Sequence, residues 1–218
     1  MKRILLVTGA CLSLAGAASA EPVNVGVILG FTGPLETITP GMAASAELAF
    51  KEASASGKLP GGATLNPVRA DSTCVDAAAA TTAATNLVTG EAVVAIMGAD
   101  CSGVTTAIAN NVAIPNGVVM ISPSATSPAL STLADDGYFF RTAPSDARQG
   151  EILANIVHEK GIAKVAVTFT NNDYGKGLAD SFAAAFEGLG GKVAISAAHE
   201  DGKADYSAEV AALQASGA

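Results

Sequence analysis

Residues 93–111 read VVAIMGADCSGVTTAIANN, and this stretch decides the fold. Its first five residues form an apolar run that predicts a buried strand, and residues 103–111 predict a helix. The same order of strand, small-residue loop and helix recurs along the chain. Strands that alternate with helices of about ten to fifteen residues indicate βαβ units around a parallel sheet. The strand interiors VVAIM and KVAV are continuous rather than alternating, as a sheet covered on both faces requires.

The remaining elements extend this pattern in both directions. Strands are predicted at residues 23–29, 65–70, 93–97, 118–121, 138–142, 164–170 and 192–198. Helices are predicted at residues 42–56, 76–89, 103–111, 145–160, 175–189 and 205–216, with another starting at Ser127-Pro128. The predicted fold is α/β, with two Rossmann-like lobes that have parallel sheets. We assign residues 21–141 to an incomplete N-terminal lobe and residues 142–218 to the start of a second lobe. The last helix has no strand after it, so we expect a longer protein whose C-terminal part is missing here.

Residues 1–20 have the pattern of a signal peptide. Lys2 and Arg3 precede an apolar and small-residue run over residues 4–16, and Ala18-Ser19-Ala20 fits a signal peptidase site. We therefore expect export and cleavage after Ala20. Lipidation at Cys11 is the alternative, but Thr8 stands where a large aliphatic residue is preferred.

Charge and cysteine content narrow the function further. Twelve Lys and Arg against twenty Asp and Glu give a net charge of −8, which argues against a nucleic-acid partner. Cys74 and Cys101 remain after the signal peptide, as a single pair in an oxidising compartment. A disulfide is one interpretation. A metal site is the other, and two thiols without a nearby histidine disfavour it.

The loops that follow the strands carry the strongest functional signal. They cover residues 30–34, 98–103, 122–127 and 171–175, and all are rich in glycine, hydroxyl or amide groups. Ligands of open parallel sheets bind beyond the carboxyl ends of the strands, where these loops meet. Hydroxyls without Lys or Arg favour a small, net-neutral ligand such as a zwitterion. Ser102, at a helix N-terminus, could bind an anion, or it could only cap the helix. Ser124 and Thr126 could be turn residues, and Tyr174 a ligand platform or an ordinary turn aromatic.

An enzyme is the main alternative class. The order of strand, Cys101-Ser102-Gly103 and helix looks like a hydrolase nucleophile elbow, yet the G-x-S-x-G register is missing. A bridged Cys101 could not act as a nucleophile. His158 is interpreted as a helix-end residue and His199 as a loop residue. We expect no catalysis, no metal and no cofactor.

Five motifs together resemble the periplasmic branched-chain amino-acid-binding proteins, the substrate-binding subunits of ABC importers. They are FTGP at residues 31–34, DSTC at 71–74, GADCS at 98–102, ISPSATSP at 121–128 and DYGKG at 173–177. The resemblance implies a type I periplasmic binding fold, with two lobes that close around one amino acid. It also implies a periplasmic location and permease subunits of an ABC transporter as partners. A sensory module of the same fold is the remaining alternative.

The resemblance further implies roles for individual residues. Ser102 and Thr126 would bind the ligand carboxylate. The backbone carbonyl of Ser124, with the Thr126 hydroxyl, would bind the ammonium group. Tyr174 would contact the ligand, an amino acid that is branched-chain or otherwise aliphatic, from the second lobe. Cys74 and Cys101 would form a disulfide.

Overall fold

Two parallel β-sheets organise the protein in a computed structural model that describes residues 21–218. The predicted signal peptide lies outside the described residues. All strand pairs are parallel, which confirms the α/β prediction. The first sheet has the order β2-β1-β3-β4-β5 and consists of β1 (Val23–Leu29), β2 (Leu65–Asp71), β3 (Ala95–Gly98), β4 (Val119–Ser122) and β5 (Phe139–Arg141). The second sheet pairs β6 (Lys164–Thr170) with β7 (Lys192–His199).

Helices connect the strands throughout. They are α1 (Thr39–Ala55), α2 (Ala77–Thr89), α3 (Ser102–Ile108), α4 (Asp146–Glu159), α5 (Asp173–Gly188) and α6 (Ser207–Ala215). Helix α3 continues as a π-helical segment, Ala109–Ala113. We call residues 21–141 the first lobe and residues 142–218 the second lobe; the predicted boundary falls between β5 and α4. Within residues 21–218, no helix combines the length and apolar character needed to cross a membrane.

Each lobe has its own apolar core. In the first lobe, Ile28, Ile96 and Met120 from three neighbouring strands pack with α2 and α3, and none is more than 1% exposed. In the second lobe, Phe182 and Phe186 on α5 stack with ring centroids 5.5 Å apart and pack against α4 and the sheet. Burying side chains of this size contributes roughly 1.5–3 kcal/mol each, so the helices are held on the sheets mainly by these contacts.

Several predicted boundaries were wrong, each for a local reason. Strand β3 covers residues 95–98 rather than 93–97. The Val93 N–H donates to the carbonyl of Leu87 at the end of α2, so residue 93 does not join the sheet. Val94 is 60% exposed, so the apolar run is not buried throughout. The helix predicted from Ser127-Pro128 is a short 3₁₀ segment, Pro128–Thr132, and the Ser127 side chain does not cap it. His199 is the last residue of β7 rather than a loop residue.

Gly98 lets the two central strands of the first sheet converge. It ends β3 with φ +139°, a value that L side chains rarely adopt. A Cβ atom there would lie 2.0 Å from the carbonyl oxygen of Ile28 on β1. The glycine therefore holds the start of the β3–α3 loop close to the end of β1.

Cys74 and Cys101 form a disulfide, with their Cα atoms 5.2 Å apart. The bridge joins the loop after β2 to the residue that precedes α3. It therefore fixes two of the loops that meet at the carboxyl edge of the first sheet.

The double variant Cys74→Ala with Cys101→Ala should lose stability. The bridge joins residues separated by 27 positions, and closing a loop of that length stabilises a fold by roughly 3.5 kcal/mol in the chain-entropy model. Urea unfolding of the mature protein should show this loss, and reduced wild type should match the variant. Two titratable thiols in denatured, unreduced mature protein would contradict the disulfide.

Candidate functional site

Ser102 is the first residue of α3 and is 2% exposed. Its hydroxyl oxygen accepts the backbone N–H groups of Thr126 at 3.3 Å and Ser127 at 3.2 Å. It does not cap its own helix, so the capping interpretation was wrong. A hydroxyl has two lone pairs and one hydrogen. With both lone pairs engaged, the hydrogen of Ser102 is left for another acceptor.

Thr126 is paired with Asp146 at the junction of the lobes. The Thr126 hydroxyl donates to Asp146 Oδ2 at 2.7 Å, and the Asp146 N–H donates to the Thr126 carbonyl at 2.9 Å. Asp146 is the first residue of α4 and is 2% exposed. The pair therefore ties the loop after β4 to the first helix of the second lobe.

Ser124 contributes a backbone carbonyl that has no donor among the described residues. Its hydroxyl donates to the carbonyl of Asp100 at 3.0 Å. The other carbonyls of this loop, from residue 123 to residue 127, all accept hydrogen bonds, from Thr142, Arg141 and the Asp146 N–H. One acceptor and the Ser102 hydrogen are thus left unused at the same edge of the first sheet.

Arg141, the last residue of β5, supports this loop from the side. Its Nη1 donates to the carbonyls of Ser127 at 2.8 Å and Ala125 at 3.3 Å, and its Nη2 donates to Ser131. Burial lowers the pKa of Arg141, and the negative charge of Asp146 partly offsets that effect. Sequence reasoning missed both Arg141 and Asp146, because their contacts with this loop could not be inferred from local pattern.

Two further aspartates hold the neighbouring loops. Asp100, 3% exposed, accepts the Gly30 N–H with both carboxylate oxygens, at 3.0 and 3.2 Å, and the Ser72 hydroxyl at 3.2 Å. Asp71 accepts the Thr32 hydroxyl at 2.6 Å and three backbone N–H groups, those of Phe31, Thr32 and Thr73. Burial raises the pKa of Asp71, but these hydrogen bonds outweigh it and leave the pKa below its ordinary value.

The structure does not bring Tyr174 into one cavity with the serines and Thr126. Thr126 and Asp146 line a cavity of about 450 Å³ that continues along the apolar face of α4. Tyr174, 45% exposed, lines another of about 480 Å³ with Thr168, Phe182 and His199. Leu153 belongs to both cavities. Thr126 and Tyr174 therefore line two separate cavities that meet at Leu153, and Ser102 and Ser124 line neither.

The two lobes touch where α5 meets the 3₁₀ segment after β4. A Cβ atom on Gly177 would lie 2.7 Å from Pro128 Cδ and 3.2 Å from Ser127 Oγ. The absence of a side chain at residue 177 therefore allows this approach.

A family model described as periplasmic binding protein matches residues 22–218. The chain belongs to the periplasmic binding protein family. This confirms the resemblance seen in the sequence, and the structural neighbours confirm the type I fold. The chain spans about half the length of the relatives that it matches.

Three family members show the range of similarity. A Leu/Ile/Val-binding protein homolog from Brucella melitensis is 31% identical over 214 residues, which cover 96% of this chain and 55% of the relative. The crystal structure of LivJ, the branched-chain amino acid transporter substrate-binding protein of Streptococcus pneumoniae, contains isoleucine. It is 32% identical with a TM-score of 0.74 and covers 89% of this chain and 54% of its own. BasB, a chemotactic substrate-binding protein from Halobacterium salinarum, is 32% identical over 173 residues, 76% of this chain and 41% of the relative.

Gly177→Ala should destabilise this periplasmic binding protein, although alanine favours helices. The added methyl group overpacks the contact with Pro128, and overpacking of this kind costs about 1–3 kcal/mol. Gly188→Ala in the same helix is the control, because no atom lies within 4 Å of its Cβ position. There the change should be neutral or stabilising by up to about 1 kcal/mol. If urea unfolding shows the same gain for both variants, the lobes do not touch at Gly177 in solution.

Asp71→Asn should lower stability at neutral pH and flatten its acid dependence. A lowered carboxyl pKa adds stability that is complete above the ordinary pKa of about 4 and is lost as the pH falls through the folded value. Hydrogen bonds to a charged group suggest a loss of about 1–3 kcal/mol at pH 7.

Unfolding measured from pH 7 to pH 3 tests this expectation. Asp201→Asn, at an exposed position, is the control and should keep the wild-type acid dependence. If the stability of the Asp71 variant falls between pH 7 and pH 3 as it does in wild type, the hydrogen bonds to the Asp71 carboxylate do not stabilise the fold.

Proposed function

We propose that the full gene product is a periplasmic solute-binding protein that captures a branched-chain or other aliphatic amino acid. In this proposal the amino acid binds between the two lobes and is delivered to the permease subunits of an ABC importer. The observation that carries the proposal is that one hydrogen-bond donor and one acceptor without partners lie at the carboxyl edge of the first sheet. Among residues 21–218, the Ser102 hydroxyl hydrogen has no acceptor and the Ser124 carbonyl has no donor.

The ligand carboxylate fits the Ser102 side. The first backbone bond of α3 runs from the Thr105 N–H to the carbonyl of Cys101, so the N–H groups of residues 102–104 stay outside the helical ladder. These groups and the helix dipole favour a negative charge. The Ser102 hydroxyl adds a donor at the same place.

The ammonium group fits the other side of the loop. The Ser124 carbonyl and the Thr126 hydroxyl both offer lone pairs there. Tyr174 belongs to the second lobe and lines a different cavity here, and in this proposal its ring provides an apolar face for an aliphatic side chain when the ligand is bound. The names of the relatives, which include Leu/Ile/Val-binding proteins, support an aliphatic amino acid.

A sensory role is the second candidate, because BasB belongs to a chemotactic system. Both functions begin with capture of a ligand, so binding data do not separate them. Deleting the gene should abolish uptake of the radiolabelled ligand if the protein serves an importer. Loss of chemotaxis with unchanged uptake would favour the sensory role.

The hydrolase alternative finds no support. Cys101 is held in the disulfide, and the Ser102 oxygen accepts two backbone N–H groups. His158 lies in the last turn of α4, and His199 on β7 bonds Thr168.

A thermal melting screen across the twenty amino acids tests the proposed function. At a hundred times its dissociation constant, the true ligand should stabilise the full gene product by about 2.7 kcal/mol. We expect leucine, isoleucine or valine to give the largest shift. The absence of a shift with every amino acid would contradict the proposal.

Ser102→Ala in the full gene product should weaken amino-acid binding without abolishing it. The variant loses one charge-assisted hydrogen bond, while the helix N–H groups remain. A loss of about 1.5–3 kcal/mol corresponds to roughly ten- to a hundred-fold in affinity by calorimetry. Ser45→Ala, on the exposed face of α1, is the control and should bind as wild type does.

The amino-acid amide distinguishes carboxylate recognition from a distorted loop. It lacks the carboxylate charge, so it should bind weakly to wild type and respond less to Ser102→Ala. If amide and acid bind alike, or lose affinity equally in the variant, Ser102 does not hold the carboxylate.

A further inference from the structure

We propose that Asp146 is a positioning residue that fixes the direction of the Thr126 hydroxyl hydrogen and so makes Thr126 an acceptor for the ligand ammonium group. The inference rests on the proposed function and deepens it. It concerns a residue of the second lobe that acts on the ligand through a residue of the first.

The hydrogen-bond inventory of Thr126 supports this role. Its hydroxyl has one hydrogen, which it donates to Asp146 Oδ2 at 2.7 Å. In this bond the Thr126 hydroxyl is the donor and the carboxylate oxygen of Asp146 is the acceptor. Because Asp146 is 2% exposed, water does not compete freely for the carboxylate. Thr126 therefore presents only lone pairs to a ligand through its side chain.

The Ser102 hydroxyl plays the opposite part, because it can only donate to a ligand. Two N–H donors occupy its lone pairs, and its hydrogen is free. The loop after β4 thus separates a hydroxyl donor at Ser102 from a hydroxyl acceptor at Thr126. A zwitterion can satisfy both groups in only one orientation. The Thr126 hydroxyl then binds the ammonium group and not the carboxylate, which narrows the role that the resemblance implies.

Two observations show that the loop after β4 has backbone restraints that do not depend on the Asp146 side chain. The Asp146 N–H bonds the Thr126 carbonyl, and this backbone contact survives any side-chain change except proline. The carbonyls of Ala125 and Ser127 are held independently by Arg141. The loop therefore keeps backbone restraints when the Asp146 side chain is removed.

The test compares leucine with 4-methylpentanoic acid, which lacks only the ammonium group. Asp146→Ala in the full gene product frees the Thr126 hydrogen to turn toward the ligand. We expect the preference for leucine to fall about tenfold in calorimetry, as for the loss of one hydrogen bond to a charged group. Asp146→Asn should keep most of the preference, within about threefold of wild type, because its amide oxygen can accept the same hydrogen.

Thr126→Val supplies a second, independent measure. It should also lower the leucine preference about tenfold, and Asp146→Ala should cost little more in this background, since the aspartate acts through the threonine. Asp173→Ala, at the exposed first position of α5, is the control and should leave the preference unchanged.

Several outcomes would overturn the inference. If Asp146→Asn loses as much preference as Asp146→Ala, the carboxylate acts through its charge. If Thr126→Val weakens both ligands equally, the hydroxyl serves the carboxylate or the fold, and this test remains valid even if Asp146→Ala fails to fold. If wild type binds leucine and no variant alters the ratio, the inference fails and the proposed function stands. If wild type binds no amino acid, both fail.

Discussion

The site depends on how the loop after β4 satisfies its own buried backbone. Parallel strands end at one edge, and a loop that turns there inside the protein cannot leave its N–H and C=O groups to water. The described residues supply partners for this loop from four directions: Ser102 from α3, Ser122 from β4 itself, Arg141 from β5 and Asp146 from α4. What remains unpaired is then a small and specific set of groups, and that set defines what can bind.

Three buried or partly buried aspartates have a common function in this acidic protein. Asp71, Asp100 and Asp146 each accept hydrogen bonds from groups on loops or strand ends, and these bonds run between segments far apart in sequence. A polar group is costly to bury unless it is hydrogen-bonded, and each of these side chains accepts hydrogen bonds from the segment that it restrains. These three carboxylates therefore restrain loops, although in the composition they are seen only as part of the net negative charge.

The architecture could be predicted from the sequence because it is encoded in short-range pattern. The strand at residues 164–170 was placed correctly from its apolar run, and α2 was placed within one residue because Asp76 caps it with its side chain. The predicted start of β3 was wrong because the apolar Val93 and Val94 were included in the strand. In the structure the Val93 N–H instead donates to a carbonyl at the end of α2. Ser102, Ser124 and Thr126 could be singled out because they follow strands. Arg141 and Asp146 could not, since only the packed fold shows which charged groups contact that loop.

The two lobes contribute differently to recognition. In the first lobe the Ser102 and Ser124 groups already have their supporting bonds, so a ligand would bind there without reorganising the loop, and little affinity is lost to ordering. The second lobe adds Asp146 at the start of α4, and it also contacts the first lobe where Gly177 meets Pro128. Asp146 belongs to the second lobe, but its carboxylate holds the hydroxyl hydrogen of Thr126 in the first lobe. The polarity of the site is therefore complete only when the first turn of α4 is docked against the loop.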